Sequence, residues 1–166
     1  MTDDANHQIY CSCEAVAHGE LGIILPDELV ARVVCGPRHI AKKDQSIKPG
    51  IFPPSHIATM GLSLMRTNYL SEEDLRKHAD AIAAHDEKDS AVGVIECKVS
   101  LIRTLVEQDG LRSVCIFDDP VIGDPMVQDN PAHALLIAAR ELPLEDIAEI
   151  RDRLLRVFSG LRRFAA

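Results

Sequence analysis

Apolar residues along the chain collect in short runs separated by breakers. Residues 58–67, 91–100, 112–117 and 132–139 are dense in Val, Ile and Leu. Each run is closed by glycine, proline or polar residues, which is the pattern of strands. In the second run the apolar spacing continues through Leu101, Ile102, Leu105 and Val106 at helical intervals, so strand is expected to pass into helix there. Two other stretches read as amphipathic helices. One opens at Ser71, a good N-cap, with Glu72, Glu73 and Asp74 opposing the positive end of the helix. Leu75, Ala79, Ile82 and Ala83 then share one face. The other starts at Pro143, with a stripe of Ile147, Ile150, Leu154, Phe158 and Leu161, and Gly160 loosens its end. A short third helix is expected over 26–34.

Proline and glycine punctuate the rest. Gly36-Pro37 ends one element, while Lys48-Pro49-Gly50 and Pro53-Pro54 frame a rigid loop. Residues 118–131 hold three prolines and one glycine and read as a long loop. A loop of that length is uncommon unless it is mobile or functional. The sum is an α+β fold: a small, mostly antiparallel sheet of about four strands with two to four helices packed on one face. The expected organisation is an N-terminal arm over 1–25 followed by one domain over 26–166.

Composition narrows the function classes. The 166 residues are 46% hydrophobic, enough for a folded core. With four Phe, two Tyr and no Trp, that core must be aliphatic. Scarce aromatics and a net charge of −8 disfavour nucleic-acid binding, which needs stacking rings and basic surface. The start of the chain has no basic segment followed by an apolar one, and the apolar runs are too short to span a membrane. Five cysteines, an odd number without framework spacing, point to free thiols in a cytoplasmic protein. The charge is uneven. Residues 32–48 carry five bases and one acid, and 151–163 carry five arginines and one acid. These segments make a local anion site only if they meet in space; otherwise they are solvated faces.

Several residues are candidates for chemistry. Cys11, Cys13, Cys35 and His39 form a zinc-like donor set, but one residue between the first pair is closer than zinc ribbons use. Without zinc, Cys35, Cys97 and Cys115 are small core residues, and Cys11 and Cys13 lie on a loose arm. Asp118, Asp119, Asp124 and Asp129 offer oxygen ligands but match no calcium loop. His78 and His85 lie seven residues apart on one helix, about 10.5 Å, too far to share a metal, and read as a solvated face. His7 and His18 carry little signal. His39, His56 and His133 stand beside breakers and charge. If 112–117 and 133–139 form a hairpin, Asp118 or Asp119 meets His133 at the sheet rim, where a carboxylate orients a general base.

Arg38-His39, Lys48-Pro49, Phe52-Pro53, Leu62-Ser63 and Arg66 resemble a pattern in small hypothetical bacterial proteins. The resemblance resumes at Gly110-Leu111, Asp119-Pro120 and Asn130-Pro131-Ala132-His133-Ala134. It spans about residues 29 to 139 and brings no activity or catalytic residues with it. It picks out a polar set of His39, Lys48, Arg66, Asp119 and His133.

Two functional expectations follow. The first is a non-enzymatic component of a bacterial multi-protein system, meeting a protein partner or a second copy of itself through the C-terminal helix. It rests on the lack of a glycine-rich phosphate loop, a G-x-S-x-G elbow or an H-E-x-x-H motif. The second is a small hydrolase or transferase for an anionic, phosphate-containing substrate. There His39 and His133 do acid–base work and Asp119 orients His133. Lys48, Arg66 and His56 bind substrate, and Cys35 is a conceivable nucleophile.

Overall fold

A computed structural model describes residues 11–166. The strands are β1 (Leu29–Gly36), β2 (Leu62–Arg66), β3 (Ser90–Lys98), β4 (Val114–Asp118), β5 (His133–Ala138) and β6 (Arg162–Arg163). The helices are α1 (Glu72–Ala83), α2 (Val99–Arg103) and α3 (Leu144–Val157). The strands form one antiparallel sheet in the order β4-β5-β2-β1-β3-β6. The α+β class and the antiparallel sheet are as expected, with six strands instead of about four. The strand at 91–100 does pass into helix, at Lys98 and Val99.

The expected helix over 26–34 is instead β1, a central strand between β2 and β3. Its Val30, Val33 and Val34 are β-branched and suit a pleated, buried surface. Both faces of β1 are apolar, so both must be covered. On one face Val30 and Val34 join Leu64, Ile95, Ile116 and Leu136 beneath α2 and α3. On the other, Ala31, Val33, Cys35, Met65 and Val94 pack against Leu75, Ala79 and Ala83 of α1. The helices therefore divide between the two faces rather than sharing one. Ser71 caps α1 as its sequence predicts, its Oγ accepting from the Asp74 N–H at 3.0 Å.

The expected arm is fastened over the described residues. β4 is an edge strand, whose outward backbone groups need partners. The Ile116 N–H donates to the Glu14 carboxylate at 2.8 Å. The Asp118 carbonyl meets His18 Nδ1 at 2.8 Å, and Arg103 donates to the Ile116 carbonyl at 3.3 Å. A disulfide joins Cys11 to Cys115, with Cα atoms 5.3 Å apart. This corrects two expectations. Cys11 is not a free thiol on a loose arm, and the five cysteines are not all reduced; Cys13, Cys35 and Cys97 are free. A disulfide is the state that an oxidising compartment favours, whereas free thiols had pointed to the cytoplasm. No helix among the described residues is long and apolar enough to cross a membrane.

One irregularity of the sheet prepares the site. β1 and β2 pair only at Val30–Arg66 and Ala31–Met65, although both strands continue beyond that point. Arg32 takes over where the ladder stops, donating from Nη1 to the Ser63 carbonyl at 2.9 Å and from Nε to the Ile51 carbonyl at 3.1 Å.

Candidate functional site

A cleft of about 620 Å³ lies over this gap, between the sheet, α1 and the loop at 121–130. That volume suits a small organic molecule. His39, His56, His78, His85 and His133 all line it, with Arg32 and Arg38. Thus five of the seven histidines converge here. Among the described residues, no Asp or Glu lines it, although the chain carries a net charge of −8.

Arg32 is the unusual residue. It is part-buried, and no carboxylate pairs with it among the described residues. Burial, and then the nearby Arg38 charge, push its guanidinium down to about 10, so it stays protonated near neutral pH. An unpaired, desolvated cation is costly and is the arrangement that an incoming anion relieves. Arg38 stands at the cleft with its guanidinium 2.6 Å from the buried Asp89 carboxylate.

His39 is held as a neutral hydrogen-bond donor. It follows a cis Gly36–Pro37 peptide, and its carbonyl accepts from the Lys48 N–H at 2.8 Å. The Cys35 N–H donates to His39 Nδ1 at 3.0 Å, which leaves the ring proton on Nε2. Burial, followed by Arg32 and Arg38, pushes the imidazole down to about 4. It therefore does not act as a proton-donating imidazolium at neutral pH.

His133 has the opposite tautomer. The paired strands β4 and β5 place it against Asp119, as the hairpin predicts. Its Nδ1 lies 2.7 Å from the Asp119 carbonyl and 3.2 Å from the Asp119 carboxylate. Nδ1 therefore carries the proton, and Nε2 keeps a lone pair suited to a general base. His133 pairs across the sheet with Met65, and Met65 with Ala31, which puts it on the α1 side. Across the cleft, burial pushes His78 down.

The other predicted residues separate from this group. Arg66 is 0% exposed and meets no ligand space. Its Nε and Nη2 donate to Glu28 at 2.8 and 3.0 Å, and Nη1 donates to Asp118 at 3.0 Å. Nη1 and Nη2 also reach the Gly22 and Ile23 carbonyls, so every guanidinium N–H is used. Arg66 is a structural hub and not a substrate ligand. Lys48 is exposed and does not line the cleft; its backbone holds His39 instead. Cys35 is fully buried and its thiol is pushed up, chiefly by burial, which disfavours it as a nucleophile. The zinc set does not assemble, because Cys11 is bonded to Cys115. Among the described residues, no group of three or more His, Cys, Asp or Glu is arranged to hold a metal ion. In the acidic loop Asp118 is committed to Arg66, while Asp124 and Asp129 bond loop N–H groups. His7 lies outside the described residues.

Sequence reasoning missed Arg32, Arg38, His78 and His85. The expectation that His78 and His85 share one helix is corrected: His78 is on α1, and His85 lies in the turn beyond its end at Ala83. Ala81 and Ile82 stand between them, and Ile82 is 38% exposed. An apolar residue left open between two nearby histidines was the available signal. No protein-family model, curated protein or solved structure matches the chain. The functional reading therefore rests on the geometry of the cleft.

Proposed function

We propose that the protein is a small hydrolase or transferase that holds a phosphate-bearing substrate by its anionic group. The observation that carries this reading is the lining of the cleft: two arginines, five histidines and no carboxylate among the described residues of an acidic chain. Arg32, whose Nη2 makes no hydrogen bond among the described residues, and Arg38 supply positive charge, and His39 adds a fixed neutral donor from Nε2. His133 is the general base. Its Nε2 takes the proton of water or of an acceptor hydroxyl as that oxygen attacks the carbonyl carbon of an ester, thioester or amide. The C–O, C–S or C–N bond then breaks, and the same proton passes from Nε2 to the leaving group. Asp119 holds the ring in the required tautomer. The anion is thus a handle, and proton transfer takes place where His133 stands.

The apolar stripe of the C-terminal helix, Ile147, Ile150, Leu154 and Phe158, is buried in the domain's own core, so a partner or second copy meeting this helix would do so through its polar face.

Two measurements test the reading together. Inorganic phosphate should bind the intact protein in calorimetric titration. A panel of phosphate-bearing esters, thioesters and amides should include one that is turned over. His133→Gln should lower that turnover about a hundredfold or more while phosphate still binds. Failure of phosphate to bind at millimolar concentration, or turnover indifferent to His133→Gln, would sink the proposal.

A further inference from the structure

The histidines and arginines of the cleft fall into two groups. Arg32, Arg38 and His39 perturb one another and form one end. His78, on α1, and His133, on the sheet face that α1 covers, both line the cleft and form the other. His133 on β5 pairs with β2, and β2 with β1, so two strand spacings, about 10 Å, separate it from β1 and its arginine.

What lies between the two ends is apolar on both walls. On α1, Ala81 and Ile82 lie between His78 and His85 and line the cleft. On the sheet, Met65 is paired with His133, Ala31 is paired with Met65, and Val33 leads on toward Arg38 and His39. The covering loop adds Met126 and Val127, which are 86% and 39% exposed. Large apolar side chains left open beside a cationic pocket mark a place where an apolar group is received.

We infer that the substrate is an amphiphilic phosphate: a phosphate group at Arg32 and Arg38, an apolar body against Ile82 and Met126, and the reacting bond beside His133. This rests on the anion reading of the cleft and adds a requirement to it. Inorganic phosphate and polar sugar phosphates fill only the cationic end. A phosphate on a chain of roughly six carbons reaches from one group to the other, given the about 10 Å of two strand spacings between β5 and β1.

Calorimetric titration of the intact protein with inorganic phosphate and with hexyl phosphate tests this. Hexyl phosphate should bind at least tenfold more tightly. Ile82→Asn combined with Met126→Ser, both at exposed positions, should remove most of that gain and leave inorganic phosphate affinity within about twofold, since neither side chain carries charge. Equal affinity for the two phosphates would overturn the amphiphilic inference and leave the anion reading standing. A hexyl gain that survives the double substitution would also overturn it, because the apolar body would then lie elsewhere. If neither phosphate binds, the anion reading falls and this inference falls with it.

Discussion

Two arginines on neighbouring strands divide the molecule into a closed side and an open one. Arg66, on β2, has Glu28 and Asp118 as counter-charges, and its guanidinium carbon lies 4.8 Å from the Tyr69 ring centre. Asp118 also accepts from the His18 and Gly19 N–H groups at 2.8 and 2.9 Å, so this hub fastens residues 18–28 to the end of β4. Arg32, on β1, has two backbone carbonyls and a second arginine for company. Burial of charge is the shared feature, and compensation is the difference. A compensated buried cation organises the chain around itself, whereas an uncompensated one stays open to an anion from outside.

The comparison breaks most visibly at Arg66. Arg66→Met strands two carboxylates in an interior site. Removing one partner of a buried ion network typically costs about 3–5 kcal/mol. The expected outcome is a large fall in the urea midpoint. Adding Glu28→Gln and Asp118→Asn in the same chain should recover part of it. A loss under about 1 kcal/mol would show that the hub does not hold the closed side together.

The sequence exposes these two sides unequally. The Ser71 cap and the stripe of α1 are local features, and local patterns survive tertiary context. The β4–β5 pairing and the meeting of Asp119 with His133 were also legible, because turn residues and two apolar runs confine that hairpin. β1 was misread because Pro26, Asp27 and Glu28 compose a helix-start signal. In the folded protein Glu28 serves otherwise: it binds Arg66 and accepts from the Leu25 N–H at 2.6 Å. Arg66 itself ends a strand and reads as a rim residue, since nothing local announces carboxylates 38 and 52 positions away. The Cys11–Cys115 bond, 104 residues apart, is equally nonlocal. The cleft was half legible. His39, His56 and His133 carry loop signals, whereas Arg32 looked like part of a solvated basic run.

The open side makes a second, smaller prediction through pH. His39 is 7% exposed and is surrounded by Arg32, Arg38, Lys48 and Asp89. Its folded-state value of about 4 lies below the ordinary histidine value near 6.5. As pH falls below 6.5 the unfolded chain takes up the proton first, so stability is lost progressively down to about 4. The loss from this group is roughly 2–3 kcal/mol at the acid end. His78, pushed down by burial, acts in the same direction. His39→Asn keeps an acceptor for the Cys35 N–H but removes the titration. Its urea stability should therefore fall less between pH 7 and pH 4.5 than that of the wild type. Identical slopes would mean that His39 is not held neutral by the fold.

The smallest stability effect is expected where the two arginines differ most in role. Arg32→Met removes hydrogen bonds to the Ile51 and Ser63 carbonyls but also removes an unpaired charge from a part-buried site. These oppose each other, so the urea stability should stay within about 1 kcal/mol of wild type. Phosphate affinity, measured on the same sample, should fall at least tenfold, because the cation that lacks an internal partner is the one an anion meets. A stability loss matching that of Arg66→Met would erase the distinction and make Arg32 a second structural hub. Retained phosphate affinity would move the anion site away from the gap between β1 and β2. A small stability change together with a large affinity change is the signature that separates a charge the fold needs from one it holds in reserve for a ligand.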